Sequence, residues 1–199
     1  MSIEIEAKMR LTDRDKLVAR LGELGADLVA TLSETNSYYD SPTGNLKSSD
    51  RGLRTRVEVV NAGTPDEHIV TTITHKGPRA HGPLKSREET ELVVDNARDA
   101  ARLLGELGYR HVLTFEKRRT RYLLDACRIE LDELPVIGSF VEIEGPSDEQ
   151  VLAVREKLGL SASPLIKSSY IAMLKTHLQE THSESVVMKF QDGLSVVRD

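Results

Sequence analysis

Apolar and polar residues alternate along much of this chain, and the alternation predicts a molecule rich in strands. Residues 2–10 (SIEIEAKMR) put Ile3, Ile5, Ala7 and Met9 on one face and Glu4, Glu6, Lys8 and Arg10 on the other. The same two-residue period returns at 52–60, with Arg54, Arg56 and Glu58 together, and at 86–94, with Arg87, Glu89 and Glu91 together. It returns again at 112–124, where Phe115, Lys117, Arg119 and Arg121 share a parity. In 127–134 Arg128, Glu130 and Asp132 share a face, and in 139–144 Glu142 and Glu144 oppose Val141 and Ile143. Strand-like stretches at 34–40, running into a turn at 41–45, and at 68–78 complete eight candidates; 79–85 reads as a flexible loop. Helical spacing replaces alternation in four places. A helix capped at Thr12-Asp13 stops at Gly25, and a second ends at Gly108. A third follows Ser147, with Gln150 completing a capping box. The fourth begins near Lys167. Three times a strand carrying Glu-x-Glu precedes a helix ending in Leu-Gly, so similar strand–helix units build one sheet system. Eight strands and few helices predict an α+β fold, an antiparallel barrel with helices packed outside.

The 199 residues, 39% of them hydrophobic, suffice for one domain, expected over 1–178. The stretch 179–199 has weak periodicity and reads equally as a late-packing strand or as an extension. No apolar run approaches the roughly 18 residues a membrane span needs, and the first residues lack a signal-peptide pattern. With Cys127 as the single cysteine, no disulfide framework is available, and a cytoplasmic location is expected. The net charge of −5 disfavours a nucleic-acid or membrane-surface partner. A monomer or a homodimer is equally compatible with it.

Charge on one strand needs no explanation beyond solvent. Charge on the same face of six strands, each with an apolar opposite face, is harder to leave in water. Were the sheet to close, those faces would become the lumen, where unpaired charges are costly unless they are paired or bind ions. Acids on one wall and bases on another suit a polyanion with its metal. Carboxylates would hold Mg²⁺ or Mn²⁺, and Arg and Lys would clamp phosphate oxygens. Triphosphate is the polyanion of matching length.

The segment Glu4-Ile5-Glu6-Ala7-Lys8 resembles the ExExK signature of the CYTH superfamily, the triphosphate tunnel metalloenzymes. Further segments follow in that family's order: Gly52-Leu53-Arg54-Thr55-Arg56, Thr74-His75-Lys76-Gly77-Pro78, Arg87-Glu88-Glu89-Thr90-Glu91 and Phe115-Glu116-Lys117-Arg118-Arg119. Glu130-Leu131-Asp132-Glu133-Leu134, Phe140-Val141-Glu142-Ile143-Glu144 and Lys167-Ser168-Ser169-Tyr170 complete the set, nearest the class IV adenylyl cyclase-like subgroup. The resemblance implies a closed antiparallel tunnel, a divalent metal and a triphosphate substrate. By position, Glu4, Glu6, Asp132, Glu142 and Glu144 would serve the metal. Lys8, Arg54, Arg56, Lys76, Arg87, Lys117, Arg119 and Lys167 would serve the phosphates. Glu89, Glu91 and Glu130 fall on the lumen face with roles left open: for Arg87 and Glu130 a structural role is equally open, and for Glu89 and Glu91 the alternative is to neutralise neighbouring Arg. Arg118, Arg121 and Lys157 read as solvated charges.

No Walker A motif, GxSxG or metal-spaced histidines occur, and Cys127 reads as a core residue. One of Tyr38 and Tyr39 faces the lumen or stands at its rim. Attack by a ribose 3′-OH on the α-phosphorus would make cyclic AMP and pyrophosphate; attack by water on the terminal phosphorus would make a triphosphatase acting on thiamine, inorganic or nucleoside triphosphate. Lys8 and Lys117 are the candidate bases. A non-catalytic polyphosphate or nucleotide binder is the third reading.

Overall fold

The computed structural model describes residues 2–191. Its elements in chain order are β1 (Ser2–Arg10), α1 (Arg14–Glu23), β2 (Asp27–Asp40), α2 (Asn45–Ser48), β3 (Gly52–Val60), β4 (His68–Arg79) and β5 (Lys85–Val94). They continue with α3 (Ala97–Glu106), β6 (Arg110–Leu124), β7 (Cys127–Leu134), β8 (Gly138–Gly145), α4 (Asp148–Lys157), α5 (Tyr170–Glu180) and β9 (Val187–Met188). The sheet order is β2-β3-β4-β5-β1-β8-β7-β6, and pairing of β2 with β6 closes it into the expected eight-stranded antiparallel barrel. Closure leaves the main strands without an open edge.

The apolar face of the strands looks outward, and over part of the barrel it packs on helices, while Ile3, Ile69 and Leu92 stay exposed. Ala7 and Met9 of β1, Ile129 and Leu131 of β7 and Val141 and Ile143 of β8 pack with Leu17 and Leu21 of α1 and Val151 and Val154 of α4. Cys127 lies in this core, as expected, and the chain crosses so tightly at Gly145 that an added Cβ would meet the Cys127 Sγ at 2.6 Å. Leu104 of α3 packs on Leu53 and Tyr39. At one end of the barrel the inward positions themselves turn apolar: Leu113, Phe115, Leu134 and Phe140 meet Tyr170 and Leu174 of α5.

Five features correct or complete the sequence reading. β2 starts at Asp27, not near 34, because the 14-residue strand pairs with β6 from end to end, its weakly alternating first half included. The expected turn at 41–45 leads into α2: the Asp40 carboxylate accepts the N–H groups of Ser41, Leu46 and Lys47 at 2.7, 2.9 and 3.0 Å. The expected flexible loop 79–85 is a short connection between strands, tied by Ala80 N–H to the Ser86 carbonyl at 2.8 Å and anchored by buried Leu84. Lys167 precedes the last helix instead of opening it, because Ser169 is the N-cap. In the stretch beyond α5, β9 pairs in parallel with β6 and Met188 is buried; the expectation for 192–199 lies outside the described residues.

Candidate active site

Strand register builds the lumen. β1 and β8 set Lys8 opposite Glu142 and Glu6 opposite Glu144. β7 continues with Glu130 opposite Glu142 and Arg128 opposite Glu144. β6 then supplies Arg119 opposite Asp132 and Arg121 opposite Glu130. On the far side, β2 sets Glu34 opposite Lys117 and Asn36 opposite Arg56, and β3, β4 and β5 add Arg54, Lys76 and Arg87. The resulting cavity of about 710 Å³ is lined by fifteen Lys and Arg against ten Asp and Glu. The chain as a whole carries −5, so its positive charge is concentrated inside, where low-dielectric walls focus it on an anion.

The acids and bases engage one another. Lys8 Nζ lies 3.1 Å from Glu142 and 3.7 Å from Glu6, and donates to the Ser168 carbonyl at 3.1 Å. Lys85 Nζ is 2.6 Å from Glu6, Lys76 Nζ pairs with Glu4 at 3.3 Å and with Glu89, and Arg128 pairs with Glu144. Arg119 is the hub. It grips both Asp132 oxygens at 2.6 Å, reaches Glu142 at 2.7 Å and also pairs with Glu130. Burial works against the Glu142 charge, yet Lys8, then Arg119 and Lys117, hold its carboxyl well below the usual range. Burial, joined by repulsion from Arg119, lowers the Lys117 ammonium below its ordinary value, against the pull of Asp132 and Glu34.

A few donors remain without partners. Among the described residues, Arg54 Nε, Arg87 Nε and Thr72 Oγ1 are buried polar atoms with no hydrogen-bond partner, and all three residues line the cavity. Buried unpaired donors carry a desolvation cost that a bound anion would remove.

The structure brings Glu4, Glu6, Lys8, Arg54, Arg56, Lys76, Arg87, Lys117, Arg119, Glu142, Glu144 and Lys167 to one cavity, with Glu89, Glu91 and Glu130. Asp132 is the exception. It lies fully buried behind Arg119, does not line the cavity, and accepts the Tyr170 hydroxyl at 2.8 Å. Two charges read as solvated are engaged in other ways: Arg121, on the same inward parity as Lys117, pairs with Glu130 at 2.8 Å, and Arg118 stacks over Phe190. Lys157 pairs with Asp125 on the surface at 2.8 Å. Sequence reasoning passed over Glu34, Asn36, Thr72 and Lys85. Glu34 lies fully buried under the basic wall, 3.2 Å from Lys117 Nζ and 3.2 Å from Arg56 Nε. Burial would push its carboxyl up, but Arg56, Lys117 and Arg119 outweigh that and hold it far below the usual range. The signal was present in Glu34-x-Asn36-x-Tyr38, an alternation as regular as those of the other strands.

Among the described residues no group of three or more His, Cys, Asp or Glu side chains stands arranged around a metal position, since the lumen acids face Lys and Arg. The donor chemistry nevertheless fits a hard divalent cation. Glu6 and Glu144 oppose each other in register, and burial, joined by repulsion from Glu4 and Glu130, raises the Glu144 carboxyl. Oxygen donors crowded enough to repel one another are what Mg²⁺ or Mn²⁺ relieves.

A family model described as the CYTH domain matches residues 2–170. The adenylate cyclase CyaB of Aeromonas hydrophila is 30% identical over 185 residues, 88% of this chain and 90% of that protein. A Pyrococcus horikoshii OT3 protein has a structure that superposes with a TM-score of 0.75 at 26% identity, over 87% of this chain and 99% of that one. A Hippeastrum protein, described as a candidate adenylyl cyclase with a dominant triphosphatase activity, shares the fold at 20% identity, with a TM-score of 0.64 over 87% of this chain and 96% of that one.

Proposed function

The chain belongs to the CYTH family, and from that premise we propose that it is a divalent-metal-dependent enzyme that binds the triphosphate of ATP in the barrel lumen and releases cyclic AMP and pyrophosphate. The observation that carries the reading is the trio of buried, partnerless donors on Arg54, Arg87 and Thr72, set in a cavity with excess positive charge. The likeness to CyaB supports the choice of reaction.

In this reading Arg54, Arg56, Arg87 and Lys76 take phosphate oxygens, Arg54 exchanging its ion pair with Glu91 and Lys76 its pair with Glu89 for ligand contacts. Glu4, Glu6, Glu142 and Glu144 would hold Mg²⁺ or Mn²⁺. That ion would supply Lewis-acid stabilisation of charge on the phosphate oxygens. Asp132 and Glu34 serve differently: fixed behind Arg119 and Lys117, they hold those bases in place. Lys117, its pKa lowered by burial and by Arg119, is the better suited of the two lysines to accept the proton of the attacking hydroxyl. Lys8, held by Glu142 and the Ser168 carbonyl, is placed to neutralise phosphate.

Hydrolysis of the terminal phosphate is the second reading, supported by the activity of the Hippeastrum protein. A triphosphate clamp does not decide whether a ribose hydroxyl or water attacks. Phosphorus NMR of products settles it, with Mg²⁺ or Mn²⁺ and, separately, ATP, tripolyphosphate and thiamine triphosphate. Cyclic AMP with pyrophosphate, lost in the double variant Glu142→Ala/Glu144→Ala, supports the cyclase. Orthophosphate with a diphosphate product supports the hydrolase. Binding of tripolyphosphate with no turnover of any substrate overturns both.

A further inference from the structure

β5 begins at Lys85, and register sets that residue opposite Glu6 of β1, whose neighbour on the other side is Glu144 of β8. Lys85 Nζ donates to Glu6 Oε1 at 2.6 Å, and the two side chains are only 9% and 6% exposed. The backbone here is fixed, because Leu84 is buried in the core that α1 and α4 share. The ammonium, at the end of a flexible four-carbon stem, is the part free to move.

The other cations on the lumen acids have second anchors. Lys76 pairs with Glu89 as well as with Glu4. Lys8 holds the Ser168 carbonyl besides Glu142 and sits 4.0 Å from the centre of the Tyr170 ring. Arg119 keeps Asp132, and Arg128 on Glu144 is half exposed, so water can receive it. Lys85 differs. Among the described residues Glu6 is its one hydrogen-bonded or ion-paired partner. A competitor for Glu6 therefore leaves Lys85 as a nearly buried charge without compensation, which is costly. Two residues along β5, also lining the cavity, stands Arg87 with its partnerless Nε. Same-face neighbours on one strand lie about 6.6 Å apart, so a phosphate taken by Arg87 falls within reach of the Lys85 stem.

We propose that Lys85 guards Glu6: its ammonium competes with a divalent ion for that carboxylate and yields it when a triphosphate offers phosphate oxygens in exchange. The inference rests on the metal and triphosphate reading and deepens it with an order of assembly. Metal and triphosphate then bind with positive coupling, each raising the affinity for the other, because the movement of one ammonium serves both. Lys85 acts here as a positioning residue, through Glu6 and the phosphate chain.

The test follows Mn²⁺ binding by electron paramagnetic resonance of the free ion, on wild type, Lys85→Met, Lys85→Gln and Lys85→Arg. Each titration is run on the protein alone and on the protein with a fixed excess of imidotriphosphate, a tripolyphosphate analogue with nitrogen bridges. Without the analogue, Lys85→Met and Lys85→Gln are expected to bind Mn²⁺ at least about tenfold more tightly than wild type, while Lys85→Arg stays within about threefold of it. With the analogue bound, Lys85→Met and wild type converge to within about threefold. Gln keeps a hydrogen bond to Glu6 without the charge, so the outcome does not depend on Lys85→Met folding. Unchanged or weaker Mn²⁺ binding in the uncharged variants overturns the inference and leaves the lumen reading intact. So does an equal gain with and without the analogue, which marks Lys85 as a fixed charge that never leaves Glu6. A wild type that binds neither Mn²⁺ nor the analogue overturns the lumen reading and this inference with it.

Discussion

Replacing Glu34 with Gln keeps the side chain's shape and removes one buried negative charge beneath three cations. The carboxylate lies 3.2 Å from Arg56, 3.2 Å from Lys117 and 3.7 Å from Arg119, with no solvent exposure. Breaking a buried pair by removing one partner costs about 3–5 kcal/mol. Asp132 still compensates Lys117 and Arg119, and Glu58 still compensates Arg56, so the low end applies, about 3 kcal/mol. At about 2–4 °C per kcal/mol for a chain of this size, the melting temperature falls by about 6–12 °C. The same change makes the lumen more attractive to anions. A phosphate held by those bases lies roughly 7 Å from the lost charge, which is about 2 kcal/mol per unit charge at an effective dielectric of about 20. Tripolyphosphate therefore binds Glu34→Gln about thirtyfold more tightly than wild type. Thermal unfolding with and without tripolyphosphate reads both effects: a lower melting temperature alone, and a larger ligand-induced rise. A folded variant with unchanged or weaker tripolyphosphate affinity refutes the argument that Glu34 acts by charge compensation.

The pH dependence follows from the same residue. A carboxyl depressed in the folded state contributes its full stability above the unfolded value of about 4.3 and loses it as pH falls through the folded value. The stability gap between wild type and Glu34→Gln is therefore widest near neutrality and narrows below about pH 4, as urea titrations at several pH values will show. Arg54→Ala and Arg87→Ala each weaken tripolyphosphate binding by about tenfold or more and reduce its salt dependence, measured by calorimetry at two ionic strengths. Gly145→Ala destabilises by about 1–3 kcal/mol because its Cβ would lie 2.6 Å from the Cys127 Sγ and 3.0 Å from Val151, and Cys127→Ala in the same chain recovers part of that loss in a denaturant midpoint. Asp132→Asn lowers stability more than it lowers metal affinity, since Asp132 backs Arg119 and does not line the cavity; a Mn²⁺ titration beside a melting curve separates the two.

Local pattern explains why so much of the barrel was legible. Side-chain direction in a strand has a period of two set by the backbone alone, so Glu4, Glu6 and Lys8, or Lys117, Arg119 and Arg121, declare a common face without knowledge of any partner. Helix starts were equally readable where a capping side chain announced them: Asp13 and Ser147 each accept the N–H three residues on. Legibility failed where the deciding contact was distant. The first half of β2 alternates weakly and becomes a strand because β6 pairs with it. Lys85, in a segment that reads as a loop, turns inward because Glu6 waits 2.6 Å away on a neighbouring strand.

The sequence by itself determined that one face of nearly every strand is charged, that the other face is apolar, and where most turns and caps fall. Those are properties of short segments, fixed by backbone geometry and by hydrogen bonds within a few residues. Only the tertiary structure decided which acid meets which base. Closure through β2 and β6 put Glu34 and Asp132 behind the basic wall as partners of Lys117 and Arg119, and left Glu4, Glu6, Glu142 and Glu144 facing the cavity. Burial depth and charge pairing depend on strands far apart in sequence, and two carboxylates with the same local pattern take different roles according to what the closed barrel sets against them.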